Sequence, residues 1–559
     1  MKNIALGIHV GHDRGACIII NKKVEAVLSQ ERLDRVKYSQ SPIIPFEAID
    51  AVLKQCQLSV EDIGCIGLSF VAADGERLLQ TYKTEFFTHY CCGYIPFFWV
   101  NHHDAHAYTS YFSSGFKKGL IFVSDGGGDF WMDKQEAETL YSGYNGVITR
   151  VDQRFQDLCI RRMQDPINHI YPAMPPAVKS LELSLGRKYA QITHLLGFNF
   201  GEAGKTMGLA SYGKSFFDFS NYLYRDLTFS LTYSDLIKEM YILQTLSGLS
   251  HKNFIDAQKE NIASTVQAFT EHIVVSLIQS FAMKYHCDTF CLSGGVFLNC
   301  LTNHKILEKT DVKQIFIPPC AGDDGQALGA AYYAYNQYYG AVTSYTIDLP
   351  YLGLCYSNQE ILEVIKKKGL QYEFMNDEHL TASMAKFIAE GKIIALHRGK
   401  TEIGPRALCH RSILANPAEP HMKDYLNNRV KHREPFRPFA PTVVSDDQFK
   451  YFDLLDTSDY MLYASTVKEP YRKDLASITH VDNTARIQAI SKESDSFIYM
   501  FLKKLEKETG YPIVLNTSFN VAGQPIVESP LDAINTFLAT DIDCLIIGNY
   551  LICKSNNTL

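Results

Sequence analysis

The sequence predicts a mixed α/β protein whose N-terminal half is built twice over. Residues 4–29 alternate apolar and polar positions around the Gly-rich turn Gly11-His12-Asp13-Arg14-Gly15 and the turn at Asn21-Lys22, which reads as a β-meander opening a sheet. A second strand with a Gly-rich turn follows at residues 119–129, ending Asp125-Gly126-Gly127-Gly128-Asp129, with further strand-like stretches over 140–151. Helical periods alternate with strands around and after both openings, which is α/β patterning.

Composition narrows the class. A chain of 559 residues has room for a substantial core and, by length alone, about three or four domains. A net charge of -7 and a pI near 6.2 offer none of the basic surplus of a nucleic-acid binder, so small-molecule chemistry is favoured. No run approaches the ~20 apolar residues of a membrane span, and Met1-Lys2-Asn3 leads into a strand without a signal-peptide pattern; the expectation is a cytoplasmic protein with no membrane partner. Its 14 cysteines form no Cys-x-x-Cys and read as reduced core thiols.

Along the chain the spacing predicts a helix over 45–57 and strands over 64–70 and 94–100, followed by Asn101-His102-His103-Asp104-Ala105-His106. Residues 201–210 combine small residues with Glu202 and Lys205 but lack P-loop spacing. A long amphipathic helix is expected over 261–286. The buried-strand pattern 289–293 runs into Gly294-Gly295 and a helix start near Asn299, where backbone amides suit an anion or only punctuate the chain. Residues 318–331 place Asp323 and Asp324 before a small-residue helix. The Tyr-rich tract 332–354, with Pro350, marks a boundary between an N-terminal domain, residues 1–354, and a C-terminal domain, residues 355–559. Beyond it come helices over 359–368 and 380–390, a strand over 392–397, a helical first turn at Gly404-Pro405-Arg406-Ala407-Leu408, a strand ending in Asn516-Thr517-Ser518-Phe519-Asn520, and a hairpin at Gly548-Asn549.

Two constellations carry chemistry. His102 and His106 are four apart, so on a helix both imidazoles share one face and can hold one metal ion. Such an ion needs further ligands, for which Asp125 and Asp323 are the candidate carboxylates and Asp324 the reserve. Near the other end, Arg406 and Arg411, then Lys431, Arg433 and Arg437 interleaved with Pro and Phe, together with Ser518 and Asn520, make an anion site. His12, on the first Gly-rich turn, is the candidate general base.

These residues resemble, over nearly the whole chain, the O-carbamoyltransferases of the nodulation-factor, tobramycin and cephamycin type. The N-terminal domain is similar to the tRNA threonylcarbamoyl-transferase fold through His102-x3-His106, Ser293-Gly294-Gly295-Val296 to Asn299 and Gly322-Asp323; the C-terminal domain resembles YrdC, the adenylate-forming partner enzyme, through Lys431/Arg433 and Ser518/Asn520. The resemblance implies a duplicated actin/sugar-kinase-like (ASKHA) domain followed by a twisted-sheet α/β domain. It implies that carbamoyl phosphate and ATP, with Mg2+, give carbamoyladenylate and pyrophosphate in the C-terminal domain, and that the carbamoyl group then passes to a hydroxyl of a secondary metabolite or glycan. Arg406, Lys431, Arg433, Arg437, Arg486 (in His480-x-Asp482-x3-Arg486-x-Gln488), Ser518 and Asn520 match residues handling carbamoyl phosphate and ATP; Lys205, Gly294, Gly295 and Asn299 would bind nucleotide in the N-terminal domain; His102, His106, Asp125 and Asp323 match a divalent-metal site, with iron the implied metal. A homodimer is also implied. Tyr38 departs from the family's Arg-x-Lys-His at residues 35–38. A tRNA threonylcarbamoylation enzyme would carry a basic surface, a hydrogenase-maturation carbamoyltransferase would carry paired Cys-x-x-Cys, and an actin- or chaperone-like nucleotide switch needs neither constellation.

Overall fold

The computed structural model describes residues 2–131, 134–157, 184–219 and 233–554. The first sheet comprises β1 (Ile4–His9), β2 (Gly15–Ile20), β3 (Lys23–Ser29), β4 (Cys65–Ser69) and β5 (Phe97–Val100) in the order β3-β2-β1-β4-β5. β1 to β3 are the antiparallel meander, and β4 and β5 extend the sheet parallel to β1. The second sheet repeats this with β6 (Lys118–Ser124), β8 (Lys134–Tyr144), β9 (Val147–Asp157), β10 (Thr289–Ser293) and β11 (Gln314–Phe316): β8 runs antiparallel to β6, β9 to β8, and β10 and β11 are parallel to β6 and to each other. A short β7 (Phe130–Trp131) hangs on β8. Written β9-β8-β6-β10-β11, the second order is the first one again. This is the duplicated actin/sugar-kinase-like architecture, and its central strands are buried throughout because helices cover both faces.

Four helices position the site: α1 (His102–Ser114), α2 (Ala203–Ala210), α3 (His251–Tyr285) and α4 (Gln326–Tyr339). The small residues of α4 have a packing reason. A Cβ on Gly7 of β1 would lie 1.9 Å from the Ala327 carbonyl oxygen and one on Gly67 of β4 2.0 Å from that of Ala330, so helix and sheet approach to backbone contact. α3 begins at His251, earlier than its apolar period suggests, because the Ser250 side chain caps it by accepting from the Asn253 amide.

The remaining strands form one nine-stranded mixed sheet: β12 (Glu373–Phe374), β13 (Ile394–His397), β14 (Arg411–Ala415), β15 (Ala440–Val444), β16 (Tyr463–Thr466), β17 (Thr484–Ile490), β18 (Ile513–Ser518), β19 (Cys544–Ile547) and β20 (Tyr550–Cys553), ordered β12-β20-β19-β13-β14-β18-β15-β17-β16. β19 and β20 are the hairpin expected at Gly548-Asn549. Two sequence readings are corrected. Gly404–Leu408 is a turn and not a helix: Gly404 has φ +93°, and the amides of Leu408 and Arg411 both donate to Glu402 Oε1, folding the chain around a carboxylate. The cysteines are not all core thiols, since Cys91 and Cys355 are exposed; those among the described residues are all free. Among the described residues no helix is long and apolar enough to cross a membrane.

Candidate metal centre and anion-binding cluster

The histidine segment is the first turn of α1. Asn101 caps it by accepting from the Asp104 amide, and Asp129 pins its start by accepting from Ala72 N (2.8 Å), Asn101 Nδ2 (2.8 Å) and His102 N (3.0 Å). His102 and His106 are buried, one turn apart, with ring centroids 5.0 Å apart. Asp125 follows the end of β6, with its Oδ1 accepting from the Gly295 amide at 2.9 Å. Asp323 stands in the turn leading into α4. One ligand atom from each of His102, His106, Asp125 and Asp323 lies within 4.8 Å of the others, a group that could hold a metal ion. His102 Nε2 is 3.4 Å from both Asp125 Oδ2 and Asp323 Oδ1, and His106 Nε2 is 3.2 Å from Asp323 Oδ1.

The donor set fits a divalent cation. His106 Nδ1 meets Ser293 Oγ at 3.3 Å, whereas its buried Nε2, although close to Asp323, has no hydrogen-bond partner. A ring held through one nitrogen with the other orphaned beside a carboxylate is arranged as metal-bound imidazoles are. Gln326 Nε2 donates to the His102 carbonyl at 3.0 Å and ties α4 to α1. Asp324 lies outside the group; it is half-buried with its Oδ2 buried and unpartnered, and desolvation pushes its carboxyl up.

His12 is drawn into the same centre. Its Nε2 is 3.1 Å from Asp323 Oδ2 and its Nδ1 2.8 Å from Asp13 Oδ2. Asp323 raises its pKa to about 10, against the opposing effect of burial and with help from Asp13. Both ring nitrogens face carboxylate oxygens, an arrangement that favours the protonated ring. Sequence reasoning passed over His9, buried at the end of β1 with Nδ1 3.1 Å from the Ser69 carbonyl, and gave no role to Asp129 and Ser293, although both stand in Gly-rich motifs it singled out. A polar residue ending an otherwise apolar strand was the available signal for His9.

The second cluster gathers at the end of β18. Lys431 Nζ donates to the Ser518 carbonyl (2.7 Å), Ser518 Oγ (3.2 Å), the Asn520 carbonyl (2.9 Å) and Asn520 Oδ1 (2.5 Å). Arg433 Nε donates to Asn427 Oδ1 at 2.8 Å, with its guanidinium 4.5 Å from the centre of the Phe439 ring. Arg406 donates to the Leu298 carbonyl at 3.1 Å, so the cations abut the Gly294–Asn299 turn. Arg406 Nε and Arg486 Nε are buried without partners. Among the described residues Lys431, Arg406, Arg433 and Arg486 form no ion pair within 4.0 Å. Burial and the adjacent cations push Arg433 and Arg486 each down to about 9, and Lys431 well below the usual lysine range.

Other expected contacts are committed elsewhere. Lys205 Nζ pairs with Glu202 Oε1 (2.8 Å) and Glu434 Oε1 (2.7 Å). Asn299 caps the helix Cys300–Lys309 and donates to Gln267 Oε1 at 2.8 Å. Gly294, at φ +99°, leaves no room for a side chain, since a Cβ would sit 2.2 Å from the Ser124 carbonyl oxygen. Arg411 is wholly buried and donates to the carbonyls of Arg398, Gly399 and His410, which makes it structural. Tyr38 donates its hydroxyl to the Gly201 carbonyl at 2.6 Å.

Comparison with known proteins gives the class. The family model described as carbamoyltransferase N-terminus matches residues 78–332, and the one described as carbamoyltransferase C-terminus matches residues 385–554. Nodulation protein NolNO of Sinorhizobium fredii is 31% identical over 97% of this chain and 79% of its own length. A 3'-hydroxymethylcephem-O-carbamoyltransferase of Amycolatopsis lactamdurans is 31% identical over 46% of this chain and 47% of its own. Full-length HypF in its phosphate- and nucleotide-bound form shares 13% identity, covering 60% of this chain and 56% of that one with a TM-score of 0.42. The chain belongs to the O-carbamoyltransferase family. It is an enzyme that transfers carbamoyl groups.

Proposed function

We propose that the enzyme activates carbamoyl phosphate with ATP in its C-terminal domain, residues 355–559, and delivers the carbamoyl group to a hydroxyl of a small-molecule acceptor in its N-terminal domain, residues 1–354. Water hydrolyses carbamoyl phosphate to carbamate and inorganic phosphate, and a carbamate oxygen then attacks the α-phosphorus of Mg2+-bound ATP, so that the new P–O bond makes carbamoyladenylate as the bond to pyrophosphate breaks. The acceptor oxygen then attacks the carbamoyl carbon and AMP departs.

The observation that carries this reading is the set of buried and half-buried cations without carboxylate partners: Lys431, Arg406, Arg433 and Arg486. Unpaired buried charge costs several kcal/mol unless a ligand compensates it, and a polyphosphate with carbamoyl phosphate supplies matching oxygens. Cations fixed in advance stabilise the charge that builds on the transferring phosphoryl group. Ser518 and Asn520 orient Lys431, and Arg437, its side chain 36% exposed, is a further cation near it.

His102, His106, Asp125 and Asp323 would hold the divalent metal, with iron the metal implied by resemblance. Held by these four residues, such an ion would supply Lewis acidity for carbamoyl transfer. Ser293 and the Gly295 amide hold His106 and Asp125 in place, and His12, beside Asp323, is the group that takes the acceptor's proton once it has lost its own. Arg406 donates to the Leu298 carbonyl, which sets the cations against the turn whose Gly295 amide holds Asp125, and the intermediate is proposed to pass between the two clusters without entering bulk water.

The test follows pyrophosphate release from ATP and carbamoyl phosphate without acceptor. Ser518→Ala abolishes it, whereas His106→Ala loses bound metal and acceptor carbamoylation yet retains most pyrophosphate release. A folded His106→Ala protein that fails in both steps would overturn the two-site assignment.

A further inference from the structure

Lys205 is on α2, far in sequence from the cations it neighbours, and four charges alternate through it. Glu202 Oε1 is 2.8 Å from its ammonium, Glu434 Oε1 2.7 Å, and the other oxygen of Glu434 is 3.9 Å from Arg437 Nη1. Glu434 therefore gives one oxygen to each cation and lies at hydrogen-bond distance from Lys205 only. The setting strengthens the close pair. Lys205 Nζ is 5.4 Å from the centre of the Phe198 ring, Phe198 packs on Phe436, and Gly208 on α2 lets Phe436 and Pro438 rest against the helix. The side chains of Lys205 and Glu202 are 16% and 21% exposed, so water screens them weakly.

We propose that Lys205 is a positioning residue for carbamoyl activation: by neutralising Glu434 it leaves the Arg437 guanidinium to the anionic substrate. With the lysine charge gone, Glu434 has one cation within reach and closes on Arg437, which then meets ATP already compensated. The inference rests on the reading that Arg437 binds substrate phosphate, and it differs from direct nucleotide contact by Lys205, whose ammonium is held by two carboxylates.

The experiment measures pyrophosphate release by the full chain at varied ATP. Lys205→Met raises the KM for ATP about tenfold and alters kcat less, the pattern of lost substrate binding. Adding Glu434→Gln to Lys205→Met restores KM to within about threefold of wild type, because the carboxylate that captured Arg437 is gone. Lys205→Gln, read in parallel, supplies the same cycle if the Met variant fails to fold. A folded Lys205 variant with wild-type KM overturns the proposal, and so does a double variant no better than the single, which is the signature of a direct lysine–phosphate contact. Arg437→Ala separates the two levels: if it leaves KM unchanged, the assignment of Arg437 to substrate fails first; if it raises KM and the double variant is not rescued, only the role of Lys205 fails.

Discussion

Lys431 meets two opposing demands. Burial and the nearby Arg433, Arg437 and Lys37 drive its ammonium to lose a proton, while four oxygens from Ser518 and Asn520 surround it as acceptors. A bound polyphosphate removes the first demand by bringing negative charge among the cations, so the lysine's pKa rises on binding. A group whose pKa rises on binding takes up a proton over the window between its two values, and affinity falls as pH rises through that window. ATP binding, measured by calorimetry in buffers of different ionisation enthalpy, is therefore expected to show proton uptake within that window, and Lys431→Met to take up fewer protons. Binding heats independent of the buffer would rule this out. Lys431, Arg433 and Arg437 were legible because cations interleaved with Pro and Phe are poor surface sequence, Arg486 only through the family resemblance, and His102 and His106 by helical spacing. His9 was not, since a single polar residue at a strand end has no period to betray it; Asp129 and Ser293 stood in recognised Gly-rich motifs, but nothing in the sequence gave them a role.

Elements carry the site through close packing. α1 and α4 cross at Gly329, where a Cβ would lie 1.9 Å from the Ala105 carbonyl oxygen and 2.6 Å from Thr109 Oγ1. Asp323 leads into α4 and His106 rides on α1, so the 3.2 Å between them depends on this crossing. Gly329→Ala is expected to cost about 1–3 kcal/mol in thermal unfolding by overpacking, and to weaken divalent-metal binding about tenfold as the helices separate. Gly204→Ala, in α2 with open space at the Cβ position, is the control and is neutral or stabilising. If Gly329→Ala melts at a lower temperature but binds metal normally, the crossing does not set the ligand geometry. Small residues in α4 announced a close contact without naming the partner, because a helix period says which face is small and nothing about what meets it. The Gly404-Pro405 pattern misled for a related reason: proline suits a helical first turn, but Glu402, accepting from two amides further on, makes the turn the better solution.

On the scale of the whole molecule, side chains from the N-terminal half of the chain are tied to the half that carries the Lys431 cluster. Arg35 donates to the Ile526 and Pro525 carbonyls, Asn303 to the Leu462 carbonyl, and Ser211 Oγ to Asp482 Oδ2 at 2.6 Å. Such contacts join residues hundreds of positions apart, so neither periodicity nor turn chemistry encodes them. Ser211 is the most exacting case. Asp482 also accepts from the amide and hydroxyl of Thr484, two residues before Arg486 at the start of β17, so the serine fixes the loop that leads to Arg486, the arginine proposed above to bind substrate. Burial works against the Asp482 carboxylate, but the hydrogen bonds from His480, Ser211 and Thr484 hold it below the usual aspartate range. A carboxyl depressed in the folded state gives its full stabilisation above the unfolded aspartate pKa near ~3.9 and loses it as pH falls through the folded value. Around neutrality Asp482 is thus ionised, and losing the serine removes a hydrogen bond to a charged group, about 1.5–3 kcal/mol. Ser211→Ala is expected to slow pyrophosphate release about tenfold or more, equally at pH 6 and pH 8, while bound metal stays at the wild-type level. Pyrophosphate release at the wild-type rate would mean that the C-terminal domain holds Arg486 unaided. A defect that appears only on one side of neutrality would mean that a group other than Asp482 reads the serine.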